Sequence, residues 1–147
     1  MLLPDTLNEI DAFRNQLANM FPGNSYREIE AHEMPLTHHF ADGVYVREVF
    51  LPKDIIVVGK RHRHETFNIL LKGELSLYMG KGVPAIRVKA PMVFVSKPGA
   101  RKIAYIHEDV VFMNVHPTNE RDLDKIEEQF IIPEQTTIKE EDTKCLG

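Results

Sequence analysis

The sequence predicts an all-β domain, a barrel or sandwich, with one helix before it and one after it. Between residues 44 and 117 it is a succession of short runs rich in Val, Ile, Phe and Tyr. Turn residues separate these runs at spacings of roughly 8–12 residues. No helical period interrupts them, which argues against βαβ units and a parallel sheet.

Each element has its own signal. Over 5–21, Leu7, Ile10, Phe13, Leu17 and Met20 recur at helical spacing, and Thr6 with Glu9 makes a capping-box pattern. Pro22 and Gly23 end that helix. Residues 26–43 read as irregular. Strands are expected at "VYVREVFL", "DIIVVG", "TFNILL", "ELSLYM", "AIRVK", "MVFVS", "KIAYI" and "VVFMNV", with turns at "LPKD", "KG", "MGKGVP", "KAP", "SKPGA" and "HED". A closing helix is expected over 117–130, with Asn119 as N-cap and Leu123, Ile126 and Phe130 as its apolar stripe. The division is then 1–43 helix and lead-in, 44–117 barrel, 118–132 closing helix and 133–147 a polar arm.

Composition bounds the function classes. The 147 residues suffice for one domain with a proper core, and 43% hydrophobic with 27% charged residues is a globular balance. No apolar run approaches the ~20 residues of a membrane span, and no basic-then-apolar leader opens the chain. A net charge of −4 argues against general nucleic-acid binding. The single cysteine, Cys145, excludes an internal disulfide and fits a reducing compartment, so a cytoplasmic protein is expected.

The chemistry concentrates in "GKRHRHETFNILL". Read as a strand, it places His62, His64, Thr66, Asn68 and Leu70 on one face and Phe67, Ile69 and Leu71 on the other. Two histidines at i and i+2 suit one metal ion, with His107 and His116 as further candidate ligands; zinc, iron, nickel and manganese all accept imidazole. A basic, solvated strand entrance is the alternative reading of the same histidines. His38 and His39 are expected at the surface. Arg61, Arg63, Asn68, Arg101 and Lys102 are candidates for binding an anionic ligand. The strand is apolar on its second face as well, so the N-terminal helix or a second subunit must cover that face; a homodimer is expected.

Here the chain resembles the cupin superfamily of small β-barrels. Gly59, His62 and His64, followed by "NILLKGEL" with Gly73 in the turn, match that family's first motif; "APMVFVSKPGARKIAYI", with Pro98 and Gly99, matches the framework of its second. The resemblance covers 44–117 and implies a jelly-roll or double-stranded β-helix barrel. The site departs from the family: its glutamate position falls on Thr66, and its second-motif histidine position on Lys102. The chain is also similar to uncharacterised cupin-like proteins of tailed phages, through "HRHETFNILLKG" and "PMVFVSKPGARKIAYIHEDVVFMNVHPTNERDLDKIEE". That implies a setting in a bacterial host cytoplasm or a virion.

Three functions follow as expectations. The first is a His-lined pocket holding a divalent metal or a small polar anion. It extends to metal-independent sugar-nucleotide isomerisation or epimerisation, with His62 or His64 as base and Tyr105 or a lysine as acid. The second is non-catalytic capture of a small molecule. The third is an oligomeric virion or assembly component that contacts other virion proteins.

Overall fold

A computed structural model describes residues 4–20, 27–80 and 82–133. Helix α1 (Pro4–Met20) leads to β1 (Arg27–Glu30), one 3-10 turn (Ala31–Glu33), β2 (Leu36–Ala41), β3 (Val44–Leu51) and β4 (Ile55–Val58). Then come β5 (Thr66–Leu77), β6 (Ile86–Lys89), β7 (Met92–Ser96), β8 (Ile103–His116) and helix α2 (Leu123–Phe130).

The strands form one sheet curled into two facing halves, a double-stranded β-helix barrel. The first half runs β1-β4-β8-β5-β6 and uses Ile103–Ile106 and Glu74–Leu77 of the two long strands. The second runs β2-β3-β8-β5-β7 and uses Val110–His116 and Thr66–Leu70. Val49, Leu51, Ile55, Val57, Leu70, Leu75, Ala104, Ile106, Val110 and Phe112 fill the space between them.

The expected turns at "KG" and "HED" are therefore not chain reversals. β5 and β8 run through them, and their pairing shifts register three times between Leu70 and Leu75. This is bulge geometry, which bends a strand pair without ending it. Gly73 makes the bend possible: its φ is +96°, and a Cβ there would stand 2.2 Å from the Asp109 carbonyl oxygen. His107 and Glu108 consequently lie within a strand, not in a hairpin tip.

The segment expected to be irregular holds β1 and β2. β1 pairs in parallel with β4, and β2 in antiparallel with β3. In β2 the residues Leu36, His38 and Phe40 alternate with exposed neighbours, a period of two that the central histidine disguises.

Helix α1 starts at Pro4, a residue suited to the first helical position because that N–H has no partner in any case. Thr6 lies inside the helix and is not its N-cap. Ile10, Phe13 and Leu17 are buried against the outer face of the first half-sheet, on Ile56, Val58, Ile103 and Tyr105; Leu7 and Met20, expected in the same stripe, stay exposed. Helix α2 is shorter than expected. Its N-cap is Asp122, whose Oδ1 accepts from the Asp124 and Lys125 N–H groups at 2.9 and 3.3 Å. The expected cap, Asn119, instead accepts from the Gly43 N–H at 2.7 Å. Ile126 and Phe130 pack on Tyr45. The expected breaker Pro22–Gly23, Cys145 and the arm beyond Pro133 lie outside the described residues. Among those described, no helix is long and apolar enough to cross a membrane.

Candidate functional site

Strand register builds the site. In the second half-sheet, Leu36, Val49, Phe112, Leu70 and Met92 form one cross-strand row of inward side chains. The next inward row is His38, Arg47, Asn114, Asn68 and Phe94. The row after that holds Phe40, Tyr45 and His116 on one side, Thr66 and Ser96 on the other. The interior thus changes from apolar to polar toward one end of the barrel, where a cavity of about 490 Å³ opens. His38, Arg47, His62, Lys102, Asn114 and His116 line it, with Tyr45 and Phe130 as its aromatic wall. Helix α2 covers it, bringing Leu123, Ile126 and the exposed carboxylates of Asp124 and Glu127 to its rim.

His62 enters the cavity from outside any long strand. Regular β5 begins only at Thr66; His62 makes an isolated bridge with Ile131. The stretch is held by the Arg63 N–H donating to the Phe130 carbonyl at 2.8 Å and the Ile132 N–H donating to the Arg61 carbonyl at 2.9 Å. The expected alternation therefore fails at residues 63–64, where the chain bends: His62 is buried, while His64 is exposed with its ring edge on Phe130. His62 Nδ1 lies 2.8 Å from Thr66 Oγ1, and that hydroxyl donates to the His64 carbonyl at 3.2 Å. A hydroxyl has one proton, so its oxygen accepts from His62 Nδ1–H, which leaves His62 Nε2 as an acceptor.

The remaining expected residues scatter. His116 does meet His62, edge to face with ring centroids 5.4 Å apart, and lies against Tyr45 and Phe130. His107 sits on Ser76 Oγ at 2.7 Å in the other half of the barrel, and Tyr105 belongs to the α1 cluster, its hydroxyl donating to Asp54 at 3.1 Å. Neither lines the cavity. Of the five residues expected to hold an anion, Lys102 lines it. Arg61 and Arg63 donate instead to the carbonyls of Gly99 and Glu128, and Arg101 is not among the lining residues. Asn68 is wholly buried and braces the floor: Asn114 Nδ2 donates to its Oδ1 at 2.7 Å, while its own Nδ2 donates to the Thr66 carbonyl at 2.9 Å. Replacing Asn68 by Leu should cost about 1–3 kcal/mol, because it orphans the Asn114 amide; chemical denaturation reads this directly.

Two residues at the centre of the site were not anticipated. Arg47 sits in "VYVREVFL" between Val46 and Glu48, in a strand with apolar residues on both faces that disguise its direction; Tyr45, Val49 and the other inward residues of β3 give it away only once register is known. His38, expected at the surface, is half-buried, and its Nδ1 meets the Tyr45 hydroxyl at 2.6 Å.

Electrostatics set the character of the cavity. Burial, then the charge of Arg47, pushes the Lys102 ammonium down to about 8. Burial, then Lys102, His116 and Arg47, pushes the His62 imidazole down to about 3; burial, then Arg47 and Lys102, pushes His116 down to about 4. The Lys102 Nζ is buried and has no hydrogen-bond partner among the described residues. Glu127 is tied to Lys60 at 2.6 Å on the exposed rim. A divalent metal does not fit this set. Among the described residues no three His, Cys, Asp or Glu side chains gather as ligands, and the two imidazoles that do meet face Arg47 and Lys102.

No family model and no curated protein matches the chain. Solved structures with a similar fold include a cupin-2 domain containing protein from Shewanella frigidimarina NCIMB 400, at 12% identity and TM-score 0.45, covering 76% of this chain and 98% of that one. A cupin domain from Bordetella pertussis Tohama I is 16% identical, with TM-score 0.45, over 58% of this chain and 93% of its own. An RmlC-like cupin family protein with a double-stranded β-helix fold from Methanocaldococcus jannaschii is 12% identical, with TM-score 0.46, over 62% and 87%.

Proposed function

We propose that the barrel cavity binds a small organic anion, a carboxylate or phosphate carried on a compact apolar or aromatic body. The observation that supports this most is Lys102: a buried ammonium without a hydrogen-bond partner among the described residues, beside a second cation, Arg47. An unpaired buried charge is costly, and a bound anion supplies the missing counter-charge and acceptor atoms. Arg47 adds a planar fork suited to carboxylate or phosphate oxygens. His62 and His116, kept neutral by burial and by these cations, offer hydrogen bonds and not charge. Phe130, Ile126, Leu36 and Tyr45 form a wall suited to an apolar body. No reacting step is assigned; the reading is one of capture, in the phage-encoded setting that the sequence resemblance implies.

The test is calorimetric titration with inorganic phosphate, benzoate and phenyl phosphate. At pH 7 the aromatic anions should bind, and Lys102→Met should weaken them at least tenfold while leaving the protein folded. Because the bound anion favours the charged ammonium, binding should take up a proton near pH 8 and weaken above it, and Lys102→Met should abolish that dependence. Equal affinity in the wild type and the variant, or no binding of any of the three anions, sinks the reading.

A further inference from the structure

Every described lysine but one has an ordinary setting. Lys53, Lys72, Lys89, Lys97 and Lys125 are exposed, and Lys60 pairs with Glu127 at 2.6 Å. Lys102 stands apart. It immediately precedes β8, and its carbonyl accepts from the Gly59 N–H at 2.8 Å, which fixes the backbone from which its side chain meets the cavity. Its Nζ is buried and has no hydrogen-bond partner among the described residues. The carboxylates that line the cavity, Asp124 and Glu127, belong to its exposed rim.

A lysine in such a place is a nucleophile as well as a cation, and only its free amine attacks a carbonyl carbon. An ordinary lysine of pKa ~10.4 is free base in on the order of one molecule in two thousand at pH 7. Burial, then the charge of Arg47, pushes Lys102 down to about 8, so about a tenth of it is free base at that pH. Arg47 selects the rest of the ligand. Its guanidinium, in the inward row with Asn114, suits a carboxylate held by two parallel hydrogen bonds. An α-keto acid carries that carboxylate and an electrophilic carbonyl on adjacent carbons. A cavity of about 490 Å³ is of the size that encloses a small organic molecule, and Phe130, Ile126 and Leu36 form a wall for its apolar side chain.

We infer that Lys102 captures an α-keto acid covalently, as an imine. This rests on the anion-binding reading of the cavity and adds a bond to it. The flexible four-carbon stem carries the amine to the keto carbon. The nitrogen lone pair forms the C–N bond, and the carbonyl π pair moves to oxygen. A proton passes from nitrogen to that oxygen, giving a carbinolamine whose hydroxyl suits His62 Nε2, an acceptor on the same cavity wall. The proton first released by the ammonium returns to the hydroxyl, which leaves as water while nitrogen forms the double bond. Overall, an ammonium and a ketone become a protonated imine and one water; nothing is oxidised or reduced, and no net proton is released. The protonated imine keeps the positive charge of Lys102 beside the carboxylate. Water reverses the step, so the outcome is capture and not turnover.

Reductive trapping tests it. The full chain is incubated with phenylpyruvate and cyanoborohydride at pH 7, and the resulting secondary amine is read by intact mass and peptide mapping. One adduct per chain should form, on Lys102, about tenfold or more faster than on any exposed lysine. Excess phenylpropionate, which has the ring and the carboxylate but no carbonyl, should suppress it, and Arg47→Met should slow it about tenfold. Lys102→Arg should lose the adduct, whereas Lys53→Arg, at an exposed position, should keep it. Should a variant fail to fold, peptide mapping of the wild type with and without phenylpropionate answers the same question. Labelling spread evenly over the exposed lysines, or a Lys102 adduct that phenylpropionate does not suppress, overturns the inference. If calorimetry shows phenylpropionate bound while phenylpyruvate is not trapped, the imine fails and the anion site stands. If neither compound binds, both readings fail.

Discussion

Gly73→Ala should lower stability by roughly 3–5 kcal/mol and the melting temperature by on the order of 10 °C. Two costs combine. The residue sits at φ +96°, a conformation that costs an L side chain about 1–3 kcal/mol. The added methyl would also meet the Asp109 carbonyl oxygen at 2.2 Å and Val110 Cγ2 at 2.7 Å. One of those contacts is backbone, so relief requires β5 and β8 to part at the bulge that both half-sheets share. Gly99→Ala is the control: its φ is +80°, but a Cβ there meets nothing within 4 Å, so only the conformational cost of about 1 kcal/mol should appear. Equal losses at the two glycines would contradict the role of Gly73 as the bend.

Acid should destabilise the protein by a few kcal/mol between pH 6.5 and 4, through His62 and His116. Both imidazoles are held below their ordinary 6.5, at about 3 and about 4, first by burial and then by the nearby cations. Above pH 6.5 they are neutral whether the chain is folded or not, and contribute no slope. As pH falls below 6.5 the unfolded chain takes up protons that the folded chain refuses, so folding stability declines by up to ~1.4 kcal/mol per pH unit for each histidine. The decline ends once pH passes the folded values. Urea midpoints at pH 7, 5 and 4 measure it, and His116→Phe, which keeps an aromatic ring beside Tyr45 and Phe130, should flatten the slope. A saturating anion should flatten it as well, by favouring the protonated rings. An unchanged slope in His116→Phe would show that the acid sensitivity lies elsewhere.

Much of the architecture was legible because it rests on alternation. The strands of the barrel, the α1 stripe at Ile10, Phe13 and Leu17, and the two-sided apolar character of β5 are all periodic features of the chain. What was not legible depends on register between distant strands. Gly73 and "HED" have the composition of turns, and only their mutual pairing shows that they bend strands instead of ending them. β2 was missed because a histidine occupies the middle of its inward face.

The candidate site was half legible for the same reason. His62, His116 and Lys102 were singled out from the sequence, and the cavity brings them together. His64 was assigned to the same face because the strand was extended back to His62, four residues before Thr66, where β5 begins; the chain bends at residues 63–64, beside the bridge from His62 to Ile131. Arg47 could not be found from its neighbours, since a strand with apolar residues and one charged residue on each face, Glu48 on one and Arg47 on the other, gives no direction to the arginine. Its place beside Asn114 and His38 is a statement about pairing.

The most direct test of the anion-binding account is a crystal structure of the wild type grown in selenate and measured at the selenium edge. The account predicts an anomalous peak in the cavity with the selenium roughly 3.5–4 Å from Lys102 Nζ and from the Arg47 guanidinium, so that selenate oxygens lie within hydrogen-bond distance of both. A well-ordered cavity with no such peak, while selenate occupies other sites on the surface, would contradict it.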